Sequence, residues 1–310
     1  MSSLLDRPAA GLYVMAWLLA GLGLALLLIG AMAGPPLGGV LLMAGLLSLI
    51  VGLAAGAGYQ IVSRRARPGH QFHGPSPLIL LGLQFVLVNT LSLVLFVIGL
   101  PGPDTPIGFF VASVVLLGGY LAVIWLFAIR SGAMTWQDLG LRPGSIGRFL
   151  GDVGTGAGVL LLVAFGASIA GGLLARLLDT GLPEVVPTPD TPAEILLVAL
   201  GAVLLIPIGE ELFFRGYAVT AWLHDLGERA ALIRSTLFFA FVHIATLTAP
   251  TFFEGARQAL LVVVVVAPVG YALGWLFVRR GLLASIAGHA AYNGFGILVL
   301  ILAESLPAPG

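Results

Sequence analysis

The chain has 310 residues, 59% of them hydrophobic and 9% charged, with a mean hydropathy of +1.09. An ordinary soluble domain carries roughly 25% charged residues, so this composition describes a polytopic membrane protein. Net charge is zero, all 14 basic residues are arginine and cysteine is absent, which excludes a nucleic-acid-binding face, disulfides, thiolate metal sites and a cysteine nucleophile.

A transmembrane helix needs about 20 mostly apolar residues, because each adds about 1.5 Å against a hydrocarbon core of about 30 Å. Nine stretches meet or approach this, at about 11–33, 37–60, 77–100, 107–129, 153–177, 193–217, 230–249, 257–278 and 282–304. The expected fold is an all-α polytopic membrane helical bundle of about 8–9 transmembrane helices. The first stretch ends in AMAG, which resembles a signal-peptidase site, but its apolar run is too long for a signal sequence and it is read as a retained helix. The connections are short and no fixed-period repeat is present, so one membrane domain is expected.

Cytoplasmic loops of membrane proteins carry an excess of arginine and lysine. An N-terminus inside places Arg7, Arg64, Arg65, Arg67, Arg130, Arg142, Arg148, Arg229, Arg234, Arg279 and Arg280 on the cytoplasmic side. Only Arg176 and Arg257 fall opposite, together with Asp104, Asp179, Glu184, Asp190, Glu194, Glu254 and Glu304. The chain is expected in the cell (plasma or inner) membrane. Between the fourth and fifth spans, MTWQDLGLRPGS has Thr135 and Asp138 at capping-box spacing and Gly140 as a helix stop. It reads either as an ordinary connector or as a short interfacial helix anchored by Trp136, Leu139 and Leu141.

Ionisable groups in hydrocarbon cost several kcal/mol unless paired or solvated, so polar residues inside spans carry the information. Glu210, Glu211 and Arg215 stand in the sixth span, His243 in the seventh, and His289 with Asn293 in the ninth. From the predicted ends, Glu210 lies about 10 Å below the cytoplasmic boundary, His243 about 13–19 Å and His289 about 10–13 Å, a common level. Glu211 and Arg215 share a helix face, as do Phe239 and His243, and His289 and Asn293. Glu210 is turned about 100° from Glu211, so the two glutamates are expected to have different partners, Arg215 for Glu211 and the histidines for Glu210. A desolvated carboxylate beside imidazole and carboxamide groups suits general-base hydrolysis. Two histidines and a glutamate are also a catalytic zinc set, so Glu210, His243 and His289 are conditional ligands, although the H-E-x-x-H motif is missing.

The motifs EELFFR (Glu210 to Arg215), FAFVH (Phe239 to His243) and HAAYN (His289 to Asn293) together resemble the signatures of the CPBP group, the CAAX prenyl protease-like and bacteriocin-processing (Abi) intramembrane proteases. The resemblance covers roughly residues 135–300. It implies a catalytic membrane core at 135–305, with 1–134 as N-terminal transmembrane helices of the same domain. It also implies an endopeptidase acting on a membrane-associated or lipidated protein or peptide. By resemblance Glu210 is the general base, Glu211 and Arg215 support it, His243 holds the water or a metal, and His289 with Asn293 stabilises the oxyanion. The family has been described both as metalloproteases and as glutamate proteases without obligatory zinc. Phe239 is read as packing.

Two other readings stay open at this point, a proton-coupled membrane transporter, whose repeats and broken helices are not evident, and a non-catalytic scaffold or self-immunity protein. Expected partners are membrane lipids and a peptide or protein substrate, and no nucleic acid. Gln84, Asn89, Gln258 and Tyr271 are expected to hydrogen-bond between helices, and the glycines of the first, second and fifth segments suit close packing. His70, His73 and His224 fall in predicted loops.

Overall fold

The structure is a computed structural model and describes residues 8–67, 69, 71–141, 144–181, 186–247 and 249–305; Arg7, His70, Arg142 and Glu184 lie outside the described residues. Apolar runs with few interior breakers fold as helices throughout, and no strand occurs among the described residues. The helices are α1 (Ala10–Met32), α2 (Leu37–Arg65), α3 (Pro77–Val97), α4 (Pro106–Ile129) and α5 (Ile146–Leu178), followed by α6 (Pro192–Leu226), α7 (Glu228–Ala245), α8 (Phe252–Arg280) and α9 (Leu282–Ser305). They form two compact units, one of residues 1–101 and 115–136, the other of 102–114 and 137–310.

In the first unit α1 and α2 meet through glycines. A Cβ added at Gly52 would stand 2.6 Å from the Ala20 backbone nitrogen, and one at Gly23 would stand 2.7 Å from the Leu49 side chain. Small residues let helix backbones approach closely where lipid offers apolar side chains no advantage over one another. The interhelical bonds expected of two amides are instead local or absent. Asn89 Nδ2 donates to the Phe85 carbonyl one turn back, and the buried Gln84 Nε2 has no partner among the described residues.

In the second unit the helix starts follow their capping residues. Ser145 Oγ accepts the Arg148 N–H before α5 and Thr251 Oγ1 accepts the Glu254 N–H before α8. Thr191 and Glu194 close a reciprocal capping box before α6, with Pro192 in the first turn, where its missing N–H costs nothing. Residues 136–140 are turns rather than an interfacial helix; Leu139 is fully buried and Gly140 has φ +88°. A Cβ at Gly140 would stand 2.9 Å from the Phe277 ring, so glycine is needed there for space as well as conformation.

Eight helices among the described residues are long and apolar enough to cross a membrane, and α7, the expected span at 230–249, is not one of them. Its 18 residues include Glu228, Arg229 and Arg234, all within the first two turns. Glu228 meets Arg279, at the end of α8, at 2.7 Å. From there α7 runs back along α8 for about 27 Å at 1.5 Å per residue. It therefore traverses the bundle with its charges gathered at one end. At the meeting of α5, α8 and α9 stand the buried Leu160, Val269, Leu273, Leu276 and Ala284. The crossing of α5 and α9 is set by Gly156 and Gly288, since a Cβ at Gly156 would fall 2.1 Å from the Ala284 carbonyl.

Candidate active site

Most of the site comes from α6, which is not a uniform α-helix. Leu200–Leu205 and Leu212–Val219 form wide π turns on either side of the α-helical Ile206–Glu211. Pro207 supplies a physical cause for the first. It lacks an N–H and its ring crowds the carbonyl four residues earlier, and the wider turn, with Ile206 N–H bonding back to Gly201 O, relieves both. The segment carrying Glu210 and Glu211 is thus set apart from both ends of its own helix.

Glu211 and Arg215 are fully buried and paired, Arg215 Nη1 donating to Glu211 Oε1 at 3.0 Å. The guanidinium also donates through Nη2 to the Gly270 carbonyl at 3.1 Å and lies over the Phe239 ring at 4.3 Å. Gly270 permits this, because a Cβ there would meet the Phe239 ring at 3.2 Å. Phe239, 1% exposed, is therefore more than filler. It forms the face on which the buried cation rests, a cation–π contact of about 2 kcal/mol when desolvated.

His289 joins the two glutamates. Its Nδ1 lies 2.8 Å from Glu211 Oε1, and since a carboxylate accepts, Nδ1 carries the proton; its Nε2 then faces Glu210 Oε2 at 3.9 Å. The expectation that the glutamates have separate partners is corrected here. An imidazole is long enough to touch both, so a rotation of 100° does not separate them. The other oxygen of Glu211, Oε2, accepts from the Ser285 hydroxyl, which also stands 3.0 Å from the Leu273 carbonyl. Ser285 was not among the expected site residues, yet it lies four residues before His289 and eight before Asn293, on the same helical face.

Glu210 is different in kind. Its side chain is 12% exposed, and its buried Oε2 has no hydrogen-bond partner among the described residues. His243 donates from Nδ1 to the Phe239 carbonyl at 2.8 Å, which leaves Nε2 as an acceptor, and its ring lies 4.5 Å from that of Phe239. Asn293 Nδ2 donates to the Ala202 carbonyl at 2.7 Å, tying α9 to the first wide turn of α6. The structure thus joins Glu211, Arg215, Phe239 and His289 directly, brings Glu210 to 3.9 Å from His289, packs His243 on the Phe239 ring and ties Asn293 to Ala202.

The conditional zinc ligands Glu210, His243 and His289 do not gather. Among the described residues no group of three or more His, Cys, Asp or Glu side chains could hold a metal ion. Both imidazoles pack against the Phe239 ring, at 4.5 and 6.0 Å between centroids, and His289 is turned toward Glu211 through Nδ1. The residues as arranged do not fit a zinc.

The buried Glu211, Arg215 and His289 with the partly buried Glu210 and His243 on neighbouring helices, and eight helices among the described residues able to cross a membrane, define an integral membrane protein with an internal ionisable site. Residues 192–295, which contain every one of these side chains, match the family model described as type II CAAX prenyl endopeptidase Rce1-like. That is the family the three motifs resemble. No curated protein and no solved structure matches the chain.

Proposed function

We propose that the chain is an intramembrane endopeptidase that hydrolyses a peptide bond of a membrane-associated or lipidated protein or peptide, with Glu210 activating water. The observation that carries this is the gap between Glu210 Oε2 and His289 Nε2. Two acceptors 3.9 Å apart, one of them a buried oxygen with no partner, form a seat that a single water satisfies with its two protons. Its oxygen lone pair then points away from both and toward a substrate carbonyl.

In the reaction Glu210 takes one proton as the water oxygen bonds to the carbonyl carbon. The oxyanion so formed collapses, the C–N bond breaks, and the proton on Glu210 passes to the leaving amine. Asn293 keeps one amide proton beyond the one given to Ala202, a donor suited to the oxyanion. His289, with Nδ1 held by Glu211, orients the water at Nε2 rather than donating from that nitrogen. Glu211 is accordingly a positioning residue, fixed by Arg215 and Ser285. His243, bonded through Nδ1 to the Phe239 carbonyl and packed on the Phe239 ring, keeps Nε2 available to help hold the water.

The proposal extends to location. The cell membrane with the N-terminus and the site toward the cytoplasm is supported by Arg148, Arg279 and Arg280, which gather at one end of the second unit. The test is cleavage of a fluorogenic peptide or a co-expressed lipidated substrate by purified protein. Glu210→Gln and His289→Ala are expected to lower kcat by about 10²–10⁴, the range for a general base. Undiminished cleavage by Glu210→Gln would end the reading. Chelation and metal content on the same samples test the metal, which this mechanism does not need.

A further inference from the structure

At the end of the second unit where α5 and α9 begin and α6 and α8 finish, a cavity of about 400 Å³ opens. Gly281, on its wall, precedes His289 by eight residues, about 12 Å along α9, so the cavity is separate from the Glu210 site. The ends of four helices able to cross a membrane meet here, which places it at the level of lipid headgroups.

Its walls carry Arg148 from α5 and Arg279 and Arg280 from α8. Arg279 is matched by Glu228 at 2.7 Å. Arg148 and Arg280 share one carboxylate, the 8%-exposed Asp152, at 3.7 and 3.8 Å. Both distances exceed hydrogen bonding, so the carboxylate balances one of the two charges and fills neither guanidinium's fork. Of the other titratable groups on the wall, Asp138 is itself engaged and His224 stands on the last turn of α6. A group with one negative charge and two equivalent oxygens completes this arrangement.

The outer face of α5 indicates what such a group is attached to. Gly147, Gly151, Gly154 and Gly158 recur at helical spacing, are exposed, and would meet no atom within 4 Å if given a Cβ. They cut a shallow channel down the helix from the level of Arg148, flanked by Ile146 and Leu150, 75% and 61% exposed. Channel and cavity face different sides of α5 and share the level of Arg148 at its start, and their chemistry is that of an acyl chain below a phosphodiester. We infer that this cavity is a binding site for an anionic phospholipid, its phosphate on the half-exposed guanidiniums of Arg148 and Arg280, outward of the buried Asp152, and one chain along the glycine channel of α5.

The test is titration of the purified, delipidated full-length protein with phosphatidylglycerol, read by native mass spectrometry. Phosphatidylcholine, inorganic phosphate and a peptide with a free C-terminal carboxylate serve as comparisons. Phosphatidylglycerol is expected to bind in preference to phosphatidylcholine. Arg148→Gln/Arg280→Gln is expected to weaken it about thirtyfold. Gly151→Leu/Gly154→Leu, which fills the channel without touching charge or core, is expected to weaken it as well and guards against a folding defect in the arginine variant. Equal affinity of either double variant and wild type, or of the two lipids, overturns the site. Displacement by inorganic phosphate overturns the lipid in favour of free phosphate, and displacement by the peptide makes it a substrate carboxylate pocket. None of these readouts depends on peptidase activity.

Discussion

Arg215→Met removes one partner of a fully buried ion pair and leaves the other in place. The guanidinium supplies a hydrogen bond of 3.0 Å to Glu211, one of 3.1 Å to Gly270 and its seat at 4.3 Å on Phe239, and methionine supplies none of these. Glu211 keeps His289 and Ser285 as donors but loses its counter-charge. Breaking such a pair costs about 3–5 kcal/mol, which lowers a thermal midpoint by roughly 6–20 °C at about 2–4 °C per kcal/mol. The double variant Glu211→Gln/Arg215→Met is the informative comparison. Glutamine offers its carbonyl to His289 and its amide to Ser285, whose hydroxyl then donates to Leu273, so the buried groups stay satisfied without charge. The double variant is expected to recover at least half of the loss, because removing both charges also removes their desolvation penalty. Unfolding followed by circular dichroism in detergent measures both. A double variant no more stable than the single one, or a single variant within about 1 kcal/mol of wild type, refutes the pairing argument.

Asn293→Ala is expected to cost about 1 kcal/mol through the lost bond to Ala202, and Asn293→Asp more, since a carboxylate would face that carbonyl; thermal midpoints rank the two. His243→Ala, which loses one partly buried hydrogen bond, is expected to lower turnover far more than stability, whereas His289→Ala lowers both, as peptide cleavage and melting on the same samples show. Gly156→Ala forces a Cβ to within 2.1 Å of the Ala284 carbonyl and is expected to destabilise by more than about 1–3 kcal/mol. Gly154→Ala, two residues away in open space, is expected to stabilise by up to about 1 kcal/mol.

The fold class was legible because an apolar run of about 20 residues has few alternatives to a membrane helix. The candidate site was legible because Glu210, Glu211, Arg215, His243 and His289 are ionisable groups where such groups are costly. α7, expected as a span at 230–249, is set apart from the other eight helices by Glu228, Arg229 and Arg234, gathered at the end where it meets Arg279. Two features were hidden for separate reasons. Ser285 is neutral and small, so nothing but its shared face with His289 and Asn293 signalled it. The wide turns of α6 leave no mark in composition, and Pro207 alone does not distinguish a widened turn from a kink. Asn89 and Gln258 bond one turn back within their own helices rather than across to neighbours, because an acceptor four residues back lies on the same helical face.

The two wide turns of α6 amount to residues added to a helix whose ends were already placed. Each addition holds the following residues about 100° short of where the same sequence would place them in an unbroken α-helix. Rewinding Leu200–Leu205 as regular α-helix with its sequence unchanged would swing Glu210 and Glu211 away from His289 while leaving every side chain chemically intact, whereas removing one residue there would restore regular winding with the carboxylates in place. The winding of this stretch therefore has to match its length, because at the present length only the wide turn keeps the carboxylates in phase with His289. Aligned to a plain helix, the stretch would look like a gap, where in three dimensions it is the pivot that aims the carboxylates.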